Sequence, residues 1–109
     1  MLELRYVVGR DGKSSFEDWF SGLDAAAAAK VSVGVARIEL GNLSDVKGVG
    51  EGVLEYRIDW GPGYRVTFGR DGDVLVILLT GGSKRRQQRD IETAKGLWAD
   101  TKVRRAKMR

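Results

Sequence analysis

The chain has 109 residues and a formal net charge of +4, and it contains neither cysteine nor histidine. That length suits one domain able to bury roughly two thirds of its unfolded surface, and 42% hydrophobic with 31% charged residues is the mixture of a globular protein. Zinc fingers, iron–sulfur sites, redox dithiols, Cys–His nucleophiles and Ser-His-Asp triads are excluded, because each needs a residue type the chain lacks.

Leu2, Leu4, Tyr6 and Val8 alternate with Glu3, Arg5 and Val7, the period of a half-buried strand. Gly9-Arg10-Asp11-Gly12 then reads as a turn. Ser14 and Glu17 have capping-box spacing, and Phe16, Trp19, Phe20 and Leu23 share one helical face. Gly22 interrupts this short helix, Asp24 is placed to cap a second, and Ala25 to Ala29 have the highest helix propensity. The second helix is expected to reach about Leu40, burying Ala27 or Ala28, Val31, Val35 and Ile38. Gly41 and Asn42 supply its stop, and Leu43 folds back on the last turn.

Residues 41–52, with glycines at Gly41, Gly48, Gly50 and Gly52 and no sustained period, read as a structured loop. A β region follows. Leu54, Tyr56, Ile58 and Trp60 alternate with Val53, Glu55, Arg57 and Asp59, and Gly61-Pro62-Gly63-Tyr64 has the signature of a type II turn. The next strand sets Tyr64, Val66 and Phe68 on one face with Arg65 and Thr67 on the other, and Asp71-Gly72 reads as a two-residue hairpin turn. Val74 to Leu79 is apolar on both faces, as in a strand covered on each side. Gly81-Gly82 reads as a strand-to-helix turn, with helix N-terminal amides nearby that could receive a phosphate. From Ser83 a helix is expected, with Ile91, Ala94, Leu97 and Trp98 as its apolar stripe. The aromatic residues are mostly core by their periodicity, with Tyr64 beside the turn as the exception.

The order β-α-α-β-β-β-α predicts a single α+β domain spanning residues 1–109. A helix hairpin packs on a small, mostly antiparallel sheet, and a basic helix follows the last strand. Residues 1–83 carry 9 Lys/Arg against 12 Asp/Glu, a net −3, whereas residues 84–109 carry 10 Lys/Arg against Asp90, Glu92 and Asp100, a net +7. Such a block suits a polyanion or an acidic partner, or else a solvated helix face with a frayed basic tail. Glu3 and Arg5 interrupt the start and the longest aliphatic run is too short to span a bilayer, so no membrane partner and a cytoplasmic location are expected.

If Trp60 pairs with Tyr64, then Asp59 opposes Arg65, Arg57 opposes Thr67 and Glu55 opposes Gly69, all on one face. Arg57 and Arg65 become diagonal neighbours able to share an anion, with Asp59 holding Arg65. The alternative is an exposed face of cross-strand ion pairs. Lys47 and Lys84 could converge on the same surface, making four cations suited to RNA or phosphate. GVGEG lacks the Lys-Ser/Thr of a Walker loop and leads into a strand, so it is weak evidence for nucleotide binding.

The run from Gly41 to Phe68, with GNLSDVK at its start and RI-x-x-GPGYRV at Arg57 to Val66, is followed by GG-x-K and Q-x-DI between Gly81 and Ile91. Together these resemble the RelE/ParE toxin superfamily, in its phage-derived, HigB-like addiction module killer branch, over nearly the whole chain. The resemblance implies the toxin of a type II toxin–antitoxin module, held inactive by a cognate antitoxin, typically a helix-turn-helix DNA-binding protein. Operator DNA would be reached only through that antitoxin. Many members cut mRNA in the ribosomal A site with no metal or other cofactor, by attack of the ribose 2′-hydroxyl on the adjacent phosphate. Carried onto this chain, Arg57 and Arg65 would stabilise the transition state, Lys47 or Glu55 would be the base, and Lys84 would bind or protonate the leaving group. Tyr64, Arg85, Arg86 and Arg89 would bind RNA. The chain departs from several ribonuclease members in having no histidine and no tyrosine after Tyr64, and in carrying Ser83 where an aspartate often follows the glycine pair. A second branch of the superfamily poisons DNA gyrase without chemistry, and a degenerate toxin that mainly binds its antitoxin is the third reading.

Overall fold

The computed structural model describes residues 2–72 and 75–107. In chain order these form β1 (Glu3–Tyr6), α1 (Ser15–Ser21), α2 (Ala25–Glu39), β2 (Val46–Gly50), β3 (Val53–Ile58), β4 (Tyr64–Asp71), β5 (Leu75–Ser83), a 3-10 turn (Lys84–Arg86) and α3 (Gln87–Lys107). The first two helices begin where short polar side chains satisfy free amides. Ser14 Oγ accepts from the Glu17 amide at 3.2 Å, and Asp24 Oδ1 from the Ala27 amide at 2.8 Å. Helix α2 ends as its sequence predicts, with the Gly41 and Asn42 amides donating to the carbonyls of Ile38 and Arg37.

The strands make one five-stranded sheet in the order β1-β5-β4-β3-β2, antiparallel except for β1 beside β5. It lies between two helical layers. Helices α1 and α2 cover one face through Phe16, Val31 and Ile38 against Tyr56, Val66, Phe68 and Leu78. Helix α3 covers part of the other through Ala94 and Trp98 against Val53, Ile77 and Leu79. Each layer is set on the sheet by a tryptophan lying on a glycine. A Cβ at Gly81 would come within 2.1 Å of the Trp19 ring, and one at Gly69 within 2.6 Å of Trp98.

Several expectations change. The segment 41–52 contains β2, paired antiparallel with β3, so the order gains a fourth consecutive strand. Its glycines and one-sided pairing at the sheet edge hide the period. Gly81 and Gly82 are not a turn but rungs of β5, opposite Val66 and Arg65. The β3–β4 register places Ile58, not Trp60, opposite Tyr64. The turn closes from the Gly63 amide to the Trp60 carbonyl at 3.0 Å, one residue earlier than expected, with Gly61 and Gly63 at φ +59° and +82°. Asp71 is not a turn residue but a rung opposite Leu75. Gly34, packed against Tyr56 and Ile58, takes the buried place in α2 expected of Val35, which is half-buried. Tyr6 is 49% exposed on the edge strand. Val74 and Arg109 lie outside the described residues. Among those described, no helix is long and apolar enough to cross a membrane.

Candidate functional site

Strand alternation sends Glu55 and Arg57 of β3, and Arg65 and Thr67 of β4, to the face that α3 only partly covers. Glu55 is 1% exposed, and a carboxylate so buried needs donors around it. Its Oε1 accepts from an Arg65 guanidinium nitrogen at 3.0 Å and from Gln87 Nε2 at 3.0 Å, while Lys47 Nζ, directly across the β2–β3 pair, stands 4.0 Å away. Glu55, rather than Asp59, therefore holds Arg65. The shifted register accounts for this, since it places Arg57 opposite Arg65 and leaves Asp59 beyond the last rung. Arg65 is held nearly out of solvent, and its Nε is buried without an acceptor. Arg57 is exposed and, among the described residues, has no ion pair.

The start of α3 closes the cluster from above. The Lys84 amide donates to the Gly63 carbonyl at 3.0 Å, tying the 3-10 turn to the β3–β4 connection and leading the chain to Gln87. One turn further on, the Asp90 carboxylate sits over Gly82, where a Cβ would lie 1.9 Å from its Oδ2. Burial lifts the Asp90 carboxyl above its ordinary value; the guanidinium groups of Arg86 and Arg89 oppose the rise and the charge of Glu55 adds to it. Gln87 and Asp90 were absent from the sequence-derived site. The acidic residue in a first helical turn reads as a dipole partner, and only the fold shows what lies beneath it.

Lys47, Glu55, Arg57 and Arg65 thus come together. Lys84 reaches the same end of the sheet through its backbone, and among the described residues no ion pair joins its side chain to Glu55. Tyr64 points to the opposite face, where its ring lies 6.3 Å from that of Trp60 and 6.1 Å from that of Trp19. The basic C-terminal segment divides in two. Lys84, Arg85, Arg86 and Arg89 are exposed and unpaired among the described residues. Further along, Arg104 donates to the Val8 carbonyl at 2.9 Å and pairs with Asp100 at 3.5 Å, and Arg105 pairs with Asp71. The cations that lead into α3 therefore follow directly on the end of β5, where Gly82 stands opposite the locked guanidinium of Arg65. Such an arrangement can grip a phosphate and steady added negative charge on it. Among the described residues, no group of three or more Asp or Glu is gathered closely enough to hold a metal ion.

Fold and site define an α+β protein with a three-layer arrangement and a cationic cluster on the open part of its sheet. No family model matches the chain. It is 45% identical over 82 residues to an uncharacterized protein of Haemophilus influenzae, an alignment covering 74% of this chain and 83% of that protein. The chain belongs to the family of that Haemophilus protein.

Proposed function

We propose that this chain is the toxin of a type II toxin–antitoxin module and a metal-independent endoribonuclease that cuts ribosome-bound mRNA in the cytoplasm. The observation that carries the reading is the fixed Arg65 with Arg57 directly opposite, flanked by the cations of the α3 start, Arg57 and these cations having no ion pair among the described residues. The resemblance to the RelE/ParE superfamily supplies the reaction. Arg65 and Arg57 hold the scissile phosphate and stabilise the charge that grows on it as the 2′-hydroxyl attacks. Glu55 is shielded from substrate and serves to position Arg65, Gln87 and Lys47. The base role falls to Lys47, whose side chain is 52% exposed. Lys84 stands by the leaving 5′-oxygen, and Arg85, Arg86 and Arg89 bind the RNA backbone. A cognate antitoxin, expected to be a helix-turn-helix protein, neutralises the toxin.

The test is induction in bacteria with translation, replication and mRNA ends followed in parallel. Growth arrest with cleavage of translated mRNA is expected, and Arg57→Ala and Arg65→Ala should each slow cleavage on the order of a hundredfold. Urea unfolding of each variant separates lost chemistry from lost fold. A toxic Arg57→Ala/Arg65→Ala double variant would overturn the reading. An SOS response and DNA breaks with translation intact would replace it with gyrase inhibition.

A further inference from the structure

On the opposite face from Glu55, a cleft of about 270 Å³ opens between α2 and the end of β3. Its α2 wall carries Lys30 and Arg37, two helical turns apart on one side of the helix, and it is closed across from them by Asp45, by Arg57 of β3, and by Asp59 and Trp60 just after β3. The opening exists because β2 begins only at Val46, opposite Tyr56, so the last residues of β3 have no neighbouring strand on that side. Lys30 Nζ lies 5.9 Å from the centre of the Trp60 ring, and among the described residues neither Lys30 nor Arg37 is ion-paired.

We infer that this cleft is a subsite for one nucleotide of single-stranded RNA beside the cleaved phosphate, with Arg57 passing the strand from one face of the sheet to the other. The inference rests on the ribonuclease reading above for the identity of the ligand. Three features select that ligand. Lys30 and Arg37 lie on the α2 wall and Asp45 and Asp59 across from it, so a phosphate is drawn to Lys30 and Arg37 and away from the two carboxylates. The carboxylates in turn accept from an exocyclic amine of the base. Trp60 offers a ring on which any base stacks, since Lys30 is at the limit of a cation–π contact and its flexible stem lets it swing to the phosphate. The cleft also shares a residue with the candidate site, because Arg57 lines it and stands opposite Arg65 in the ladder.

The probe is a fluorescent RNA hexanucleotide made uncleavable by 2′-O-methylation, titrated by anisotropy into the full chain at several salt concentrations. Lys30→Gln/Arg37→Gln, both surface changes, should weaken binding about tenfold and lower the slope of log affinity against log salt by about 0.7, as expected when one phosphate contact to a single strand is lost. Trp60→Leu should weaken binding roughly tenfold through lost stacking. Unchanged affinity and slope in the Lys30/Arg37 double variant would overturn the subsite, even if induction of the native chain arrests growth by mRNA cleavage. A native chain that cuts no mRNA in cells but binds the hexanucleotide through Lys30 and Arg37 would sink the ribonuclease reading and leave a single-strand binding cleft standing.

Discussion

Arg57 and Arg65 stand directly opposite one another in the β3–β4 ladder, where like charges destabilise a pair by roughly 0.2–1 kcal/mol. The fold tolerates them because Arg65 turns inward to Glu55 while Arg57 stays in solvent. A local rule broken in this way is what the proposed phosphate site would require of the sequence. Asp90 is a second such residue. Its carboxyl has a folded pKa raised above the ordinary 3.8 by burial, so the favourable contribution of its neutral form is fully present below 3.8 and is lost as pH rises through the raised value. Asp90→Asn, which cannot ionise, should therefore gain on the native chain as pH rises through that window and hold a constant advantage above it. Urea midpoints taken from about pH 3 to 7 test this; parallel curves for the two proteins would refute it. The site cations on β3 and β4 were legible in the sequence because a register error of two residues preserves which face each side chain takes. Their partners were not, since the same error exchanges every opposing residue: Arg57 takes the place of Asp59 opposite Arg65, and the diagonal Glu55 becomes its ion-pair partner.

Hairpin β2–β3 turns through Glu51 and Gly52, at φ +56° and +82°, the pattern of a two-residue type I′ turn. Glutamate is poorly suited to the left-handed region, and its exposed contact with Lys95 at 3.9 Å offsets little of that strain. Glu51→Asn should stabilise the protein by about 1 kcal/mol, seen as a higher urea midpoint with an unchanged m-value. Strand β5 shows the opposite constraint. Leu79 is an extra residue opposite the Thr67–Phe68 step, and this bulge changes the phase of the strand so that Gly81 meets Trp19 and Gly82 meets Asp90. Gly81→Ala has to displace the Trp19 ring and with it α1, a cost of about 1–3 kcal/mol, readable as a lower urea midpoint and an altered near-ultraviolet signal. A pair of adjacent glycines reads as a turn along the chain. Only when α1 and α3 are both packed on the sheet does each glycine acquire the partner that requires it.

Across the whole molecule, the net +7 of residues 84–109 behaves as two populations. Among the described residues the cations at the start of α3 have no ion pair, while Arg104 and Arg105 at its far end fasten the helix to Val8 and Asp71. Replacing Lys84, Arg85 and Arg86 by alanine should lower the salt slope of single-stranded RNA binding by about 2, with the unfolding curve little changed. Replacing Arg104 and Arg105 should leave the slope unchanged and lower stability. Anisotropy titrations at graded salt, paired with urea unfolding, separate the two; equal slopes for both variants would mean that the charge acts as one undivided block.

Hydrophobic period and cap chemistry are local properties, and they set out α1, α2, α3, the three inner strands and the faces of their side chains before any contact is known. Composition likewise excluded every mechanism that needs cysteine or histidine, whatever the fold. The edge strand β2, the β3–β4 register, the union of Lys47, Arg65 and Gln87 on a buried Glu55, and the division of the cations into free and paired groups emerge only in three dimensions. Each depends on which residue of another element supplies the partner. Cross-strand pairing energies leave no period in the chain, even between neighbouring strands, so the packed sheet alone selects among them.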